Sequence, residues 1–211
     1  MKDKKRVLVL APHTDDGEFG CGGTIAKFIE EGHEVTYAAF SACQQSVLPQ
    51  FPSDILITEV KAATKVLGIK PDNLLLFDYD VRTFGYHRQE ILDDLIKIRA
   101  DFKPDLILMP DLQDVHQDHA TVATEGLRAF KFSSILSYEL PWNNLSFTTS
   151  SFVHLDERHV QTKVNALKEY QSQAHRPYSD EDFLRSVART RGVQIGTKYA
   201  EAFNIVRWII D

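Results

Sequence analysis

The chain has 211 residues, enough for one domain with a substantial core. Hydrophobic residues at 43% and charged residues at 26% describe an ordinary soluble globular protein. A net charge of -6, from 30 acids against 24 bases, argues against a general nucleic-acid binder, whose surface would be basic.

"RVLVLA" near the start is a compact apolar run, the pattern of a strand buried on both faces. "GTIAKFIEEG" places Ile25, Phe28 and Ile29 on one helical face and ends at Gly32, a residue suited to a helix C-terminus. "EVTYAAFSA" reads as a second strand. "SDILITEVKAATKVLG" reads as a helix capped by Ser53 or Asp54 and ended by Gly68. "NLLLFDY" is a third strand, "HRQEILDDLIKIRADFKP" a helix that must stop near Pro104, and "DLILMP" a fourth strand. Beyond it, "HATVATEGLRAF", "ERHVQTKVNALKEYQSQ" and "DEDFLRSVARTRG" look helical. "SSILSYELPW", "LSFTTSSFVHLD" and "AEAFNIVRWII" look like strands. No repeat, linker or low-complexity tract interrupts the series, so a single domain over 1–211 is expected. Two cysteines, Cys21 and Cys43, are too few for a disulfide scaffold or a CxxC zinc ribbon. No stretch reaches the roughly 18 apolar residues of a membrane span, and Val7 to Ala11 is too short for a signal-peptide core. A cytoplasmic location is therefore expected.

Alternating strands and helices predict an α/β fold: a Rossmann-like, doubly wound, mostly parallel sheet with helices on both faces. In the common doubly wound order the first and fourth strands are neighbours, and ligands bind in the crevice at their carboxyl ends. Two polar loops leave those ends. His13, Asp15 and Asp16 follow the first strand, and His116, Asp118 and His119 follow the fourth. Imidazole and carboxylate make a first shell for zinc or a similar divalent ion. His13, Asp16 and one of the two late histidines would give three protein ligands and an open fourth position, as in catalytic zinc sites. Asp15 would be left free for another task. The competing reading is an aspartate-rich turn that caps the next helix. Asp111 and Asp114 lie in the second loop, where acids are more often solvated than ligating. "GCGG", Gly20 to Gly23, has neither dinucleotide-loop nor Walker spacing, so close packing against the sheet is its expected role.

These residues resemble the PIG-L/LmbE-like family of metal-dependent N-deacetylases. The first family motif is approximately A-H-P-D-D-E-E-x-G-C-G-G-T, against Pro12-His13-Thr14-Asp15-Asp16-Gly17-Glu18-Phe19-Gly20-Cys21-Gly22-Gly23-Thr24 here. The second, H-P-D-H, is matched by His116-Gln117-Asp118-His119, and the likeness continues through "KVNALKEYQSQ" and "YAEAF". The resemblance implies hydrolysis of an N-acetyl or other N-acyl group from an amino sugar or sugar conjugate. It implies Zn2+, with Fe2+ or another divalent metal as alternatives. It makes His13, Asp16 and His119 the metal ligands, Asp15 the general base and His116 a second polar catalyst oriented or tuned by Asp118. Related proteins often assemble, so a homo-oligomer is open. Gly17 departs from the family acid, Thr14 from its proline, and Leu56 from the arginine that often precedes Glu59 by three residues. A metal-dependent ester or phosphoester hydrolase and a non-catalytic metal- or ligand-binding relative are the competing functions. Arg82 and His87, after the third strand, and His175 are placed where they could reach the crevice mouth. Tyr138, Trp142 and Phe147 are candidate pocket aromatics for which core packing is the simpler role.

Overall fold

The apolar run after the basic N-terminal residues forms β1 (Arg6–His13). Its side chains alternate between two cores: Val7, Val9 and Ala11 face one, Leu8 and Leu10 the other. That alternation follows from the two-residue period of a strand, and apolar residues on both faces demand cover on both sides. The computed structural model describes residues 4–210 and shows that cover. The expected domain, 1–211, includes residues 1–3 and 211, which lie outside the described part.

The chain continues through α1 (Asp16–Glu30), β2 (Glu34–Ser41), α2 (Ile55–Leu67), β3 (Leu74–Leu76), α3 (Arg88–Phe102), β4 (Leu106–Pro110) and α4 (Gln117–Ala129). It ends with β5 (Ser134–Tyr138), β6 (Ser151–Leu155), α5 (Glu157–Leu167), α6 (Glu181–Gln194) and β7 (Tyr199–Arg207). The seven strands lie in the order β3-β2-β1-β4-β5-β7-β6. The pairs from β3 to β5 are parallel, while β7 runs antiparallel between β5 and β6. Residues of α1, α2 and α5 build one core layer, and residues of α3 and α4 the other. The doubly wound, mostly parallel α/β fold is therefore observed, and β1 pairs directly with β4.

Several elements are shorter or start elsewhere than their sequence patterns, β6 among them, and three of these differences bear on the site. The third strand is only three residues long. Beyond it Phe77 and Tyr79 still donate their amides to Ala39 and Phe40 of β2, so the chain follows β2 without regular pairing. The fifth helix stops at Leu167, and Tyr170 and Ser172 are buried in the turn that follows. The first helix begins at Asp16 rather than after the glycines, and carries "GCGG" inside it. Glycine is a weak helix former, so tertiary contact must hold that segment. A Cβ on Gly20 would lie 2.2 Å from Cδ2 of Tyr138, a fully buried side chain whose hydroxyl donates to the Leu10 carbonyl.

This close approach fixes the cost of adding a methyl group. Gly20→Ala is expected to lower stability by about 1–3 kcal/mol through overpacking. Urea unfolding should show a lower midpoint with an unchanged slope. An unchanged midpoint would mean that Tyr138 moves aside freely.

Candidate metal centre

β1 delivers His13 at its last position, and the loop after β4 delivers Asp111, Asp114 and His116 before α4 begins. Because β1 and β4 are parallel neighbours, both loops open on the same end of the sheet, at the point where the strand order reverses. Residues of both loops line a cavity of about 450 Å³ there, among them His13, Asp15, Asp16, His116 and His119.

Three side-chain atoms converge at its floor. His13 Nδ1 lies 3.2 Å from Asp16 Oδ2, His119 Nε2 lies 3.2 Å from the same oxygen, and the two nitrogens are 3.2 Å apart. The far side of each ring is held by a carboxylate: His13 Nε2 by Asp118 Oδ2 at 3.0 Å, and His119 Nδ1 by Asp114 Oδ2 at 2.8 Å. Those bonds place a hydrogen on the outer nitrogen and turn the inner nitrogen toward the shared point. Two ring nitrogens and a carboxylate oxygen this close repel unless positive charge lies between them. With no ion that charge is protonic. Burial disfavours the charged rings, but the Asp16 charge and the carboxylate hydrogen bonds outweigh it, raising His13 to about 9 and His119 to about 10. Burial likewise opposes ionisation of Asp16, yet the charges of His119 and His13 hold its carboxyl well below the usual range.

The donor set fits a metal ion. Bonds of about 2.0 Å to a tetrahedral centre put ligand atoms about 3.3 Å apart, close to the spacing of this triangle. His116 also approaches, since one ring nitrogen from each of His13, His116 and His119 lies within 4.8 Å of the others. That grouping is looser than the one containing Asp16. His116 is the N-cap of α4, and its Nδ1 accepts the Asp118 amide at 3.2 Å. In a neutral ring this leaves the hydrogen on Nε2. Burial and the neighbouring charges of His119 and His13 push the His116 ring below its ordinary value.

Asp15 occupies the N-cap position of α1, but its side chain makes no capping bond. The aspartate-rich turn is thus not there to cap the helix with Asp15. Burial and the charge of Asp16 raise Asp15 to about 6.

These contacts extend one sequence expectation and correct another. Asp118 was expected to orient or tune His116; it meets that ring through its backbone amide, while its carboxylate bonds the His13 ring, a contact the sequence did not suggest, and accepts the amides of Arg82 and Phe84. Its pKa falls despite burial because His13 and the Arg82 amide stabilise the anion. Asp111 and Asp114 were expected to be solvated, but both are buried. Asp114 is the carboxylate behind His119 and also accepts the His116 amide. Asp111 accepts from Ser137, Asn204 and the Gln113 amide. Nothing in the loop's spacing marks Asp114 as the partner of a histidine five residues on.

The departures from the family pattern have local explanations. The Tyr37 ring fills the space beside Gly17, where a Cβ would lie 2.5 Å from Cε2. The Tyr37 hydroxyl accepts the Gly17 amide and meets the Thr14 carbonyl and Glu18, and Tyr170 meets the same two groups from the other side. Two hydroxyl hydrogens cannot serve four contacts. Burial pushes Glu18 up to about 8, and its protonated carboxyl adds a third hydrogen, so three of the four contacts can be hydrogen bonds at once. Glu59, without an arginine at position 56, is buried and accepts both the amide and the hydroxyl of Ser172. Leu56 lines the cavity.

Around the mouth, Arg82 and Trp142 line the cavity, and Trp142 stacks on Tyr178 with ring centroids 4.0 Å apart. Tyr138 belongs to the core. Phe147, His87 and His175 do not line the cavity: His87 pairs weakly with Glu90, and His175 contacts the Ser172 carbonyl. Asn143, Arg176 and Tyr178 are lining residues that carry no recognisable pattern in the sequence.

Residues 8–130 match the family described as PIG-L: GlcNAc-PI de-N-acetylase. The chain belongs to that family. It is 25% identical to a diacetylchitobiose deacetylase of Thermococcus kodakarensis, over 97% of this chain and 84% of that one. Its fold superposes on the N,N'-diacetylchitobiose deacetylase from Pyrococcus horikoshii with a TM-score of 0.81 at 24% identity, covering 97% of this chain and 85% of the other. It superposes almost as well on GalB, a 4-carboxy-2-hydroxymuconate hydratase from Pseudomonas putida, with a TM-score of 0.79 at 19% identity over 98% of each chain. Likeness of fold therefore does not fix the reaction, which depends on the residues of the site. Among the described residues no helix is long and apolar enough to cross a membrane.

The raised histidine values set the sign of a proton balance. At pH 7 the metal-free rings of His13 and His119 are charged, whereas ligating nitrogens must be neutral. Adding Zn2+ to chelator-treated protein at pH 7 is expected to release protons, and the release should shrink as pH rises toward about 10. Calorimetry in buffers of different ionisation enthalpy measures it. Binding without proton release would mean that these rings do not hold the ion.

Proposed function

We propose that the protein is a metal-dependent N-deacetylase that hydrolyses the N-acetyl or another N-acyl group of an amino sugar or sugar conjugate. His13, Asp16 and His119 hold the ion, which is zinc or, with the same ligands, iron(II) or another divalent metal. The observation that carries the reading is the 3.2 Å triangle of His13 Nδ1, Asp16 Oδ2 and His119 Nε2, with Asp15 lining the same cavity and its side chain spared from capping. The sugar part rests on the family description and on the diacetylchitobiose deacetylase relative. The cavity volume of about 450 Å³ suits a small saccharide, and Trp142 with Tyr178 offers apolar ring faces for it.

An amide has a weak electrophile and a poor leaving group. A bound divalent ion supplies a Lewis acid that polarises the acyl carbonyl and lowers the pKa of a water toward about 7. Asp15 takes a proton from the attacking water, and its raised proton affinity suits it to hold that proton near neutral pH. The water oxygen bonds to the acyl carbon, the carbon–nitrogen bond breaks, and the proton on Asp15 passes to the departing nitrogen. The products are the free amine and the carboxylic acid. His116 is neutral at neutral pH, with Nδ1 tied to the Asp118 amide, so its Nε2–H donates to the carbonyl oxygen as charge develops there. Asp118 and Asp114 orient the two ligand histidines from behind.

The direct test is acetate release from N-acetylglucosamine, N,N'-diacetylchitobiose and anionic N-acetylglucosamine conjugates. Release should stop on chelation and return with added Zn2+. Absence of release from every substrate by the zinc-loaded protein would overturn the deacetylase reading in favour of an ester or phosphoester hydrolase or a binding protein. The roles separate by mutation. Asp15→Asn is expected to keep the ion while kcat falls by roughly 10²–10⁴-fold, and His119→Ala should lose the ion itself. Loss of metal in the Asp15 variant, measured by metal analysis, would make that residue a ligand instead of the base.

A further inference from the structure

α1 is not one straight helix. Cys21 has φ -147° and ψ 24°, outside helical values, and splits the element into a first turn that bears Asp16 and a longer second segment. Sharp breaks in helices have identifiable causes, one of which is a side chain inserted into the hydrogen-bond ladder. In an unbroken helix the Phe19 carbonyl would accept from the Gly23 amide, four residues on. Here the Phe19 carbonyl accepts from Lys163 Nζ at 2.6 Å. The Gly23 amide donates to Glu201 Oε1 at 3.1 Å, and the Thr24 amide to Glu201 Oε2 at 2.7 Å. Lys163 and Glu201 are themselves paired at 2.7 Å, and both are buried. The ion pair therefore occupies both sides of one rung of the helix. Its ammonium end meets the Phe19 carbonyl and its carboxylate end meets the Gly23 and Thr24 amides.

The surrounding glycines admit it. A Cβ on Gly22 would lie 3.0 Å from Lys163 Cγ. One on Gly23 would lie 2.5 Å from Leu155 Cδ1 and 3.2 Å from Glu201 Oε1. Lys163 comes from α5 and Glu201 from β7, and neither side chain lines the cavity.

We propose that Lys163 and Glu201 are positioning residues of the metal centre: inserted at the break in α1, they set the direction in which its first turn presents Asp15 and Asp16 to the crevice. The inference rests on the metal-centre reading above. Neither residue lines the cavity, so the effect is transmitted through the backbone between Asp16 and Gly23. Without the pair, the Phe19 carbonyl and the Gly23 amide can bond each other, and the first turn rotates as the helix straightens.

The test uses Co2+, whose visible absorption reports ligand geometry, together with amide hydrogen exchange at Gly23 and Thr24. The double variant Lys163→Met/Glu201→Leu removes both charges at once and leaves no buried ion unpaired. It is expected to fold, to bind Co2+ about 10-fold or more weakly, and to show an altered cobalt spectrum. Exchange at Gly23 should remain slow as its amide rejoins the helix ladder. Wild-type cobalt affinity and spectrum in the folded double variant would overturn the proposal. If that variant does not fold, Glu201→Gln decides, because it keeps the side-chain size and one acceptor oxygen. A weakened affinity with a shifted spectrum supports positioning, and values equal to wild type overturn it. Failure of the wild-type protein to bind Co2+ would overturn the metal-centre reading together with this one, whereas binding that ignores the pair overturns this one alone.

Discussion

Parallel pairing of β1 with β4 is the constraint on which the rest of the molecule depends. It brings His13 and Asp118, 105 residues apart in sequence, within hydrogen-bond distance. The pairing itself rests on two strands with apolar residues on both faces, each needing helices above and below. Once the strands are side by side their loops must open at the same end of the sheet. A crevice at that end follows from the topology, whatever the loops contain.

What the loops contain then makes the crevice polar and costly. Two imidazoles and three carboxylates, those of Asp16, Asp114 and Asp118, are packed at its floor with little access to water. Such a cluster is tolerable only when each group is paired and the centre holds positive charge. The outer carboxylates have the simpler task of fixing which nitrogen faces inward. The inner triangle leaves a position that protons or a metal ion must fill. The same donors that make the metal-free site proton-rich are ones whose spacing fits a metal ion.

Support for the site extends well below it. Tyr37 and Tyr170 hold the Thr14 carbonyl and Glu18 from opposite sides, and Tyr37 takes the space next to Gly17. Tyr138 occupies the corresponding space at Gly20. The glycine-rich first turn of α1 is therefore clasped by aromatic rings, and the Lys163–Glu201 pair meets its far end. The glycines serve close approach by other side chains, which is why the sequence shows no phosphate-loop spacing around them.

The sequence by itself determined the layers, the adjacency of the first and fourth strands, and the two loops carrying His13, Asp15, Asp16, His116, Asp118 and His119. These follow from hydrophobic period and from the chirality rules of parallel sheets, which act on patterns along the chain. Tertiary structure alone decided which carboxylate serves which ring. Asp118 turned to His13 and Asp114 to His119, because a hydrogen-bond partner is chosen by side-chain direction in three dimensions and leaves no trace in spacing. It also decided that Ser172 answers Glu59, that the helix starts at Asp16 despite its glycines, and that it breaks at Cys21. In each case the deciding group comes from a distant segment, and local propensity yields to a buried contact that satisfies an otherwise orphaned polar atom.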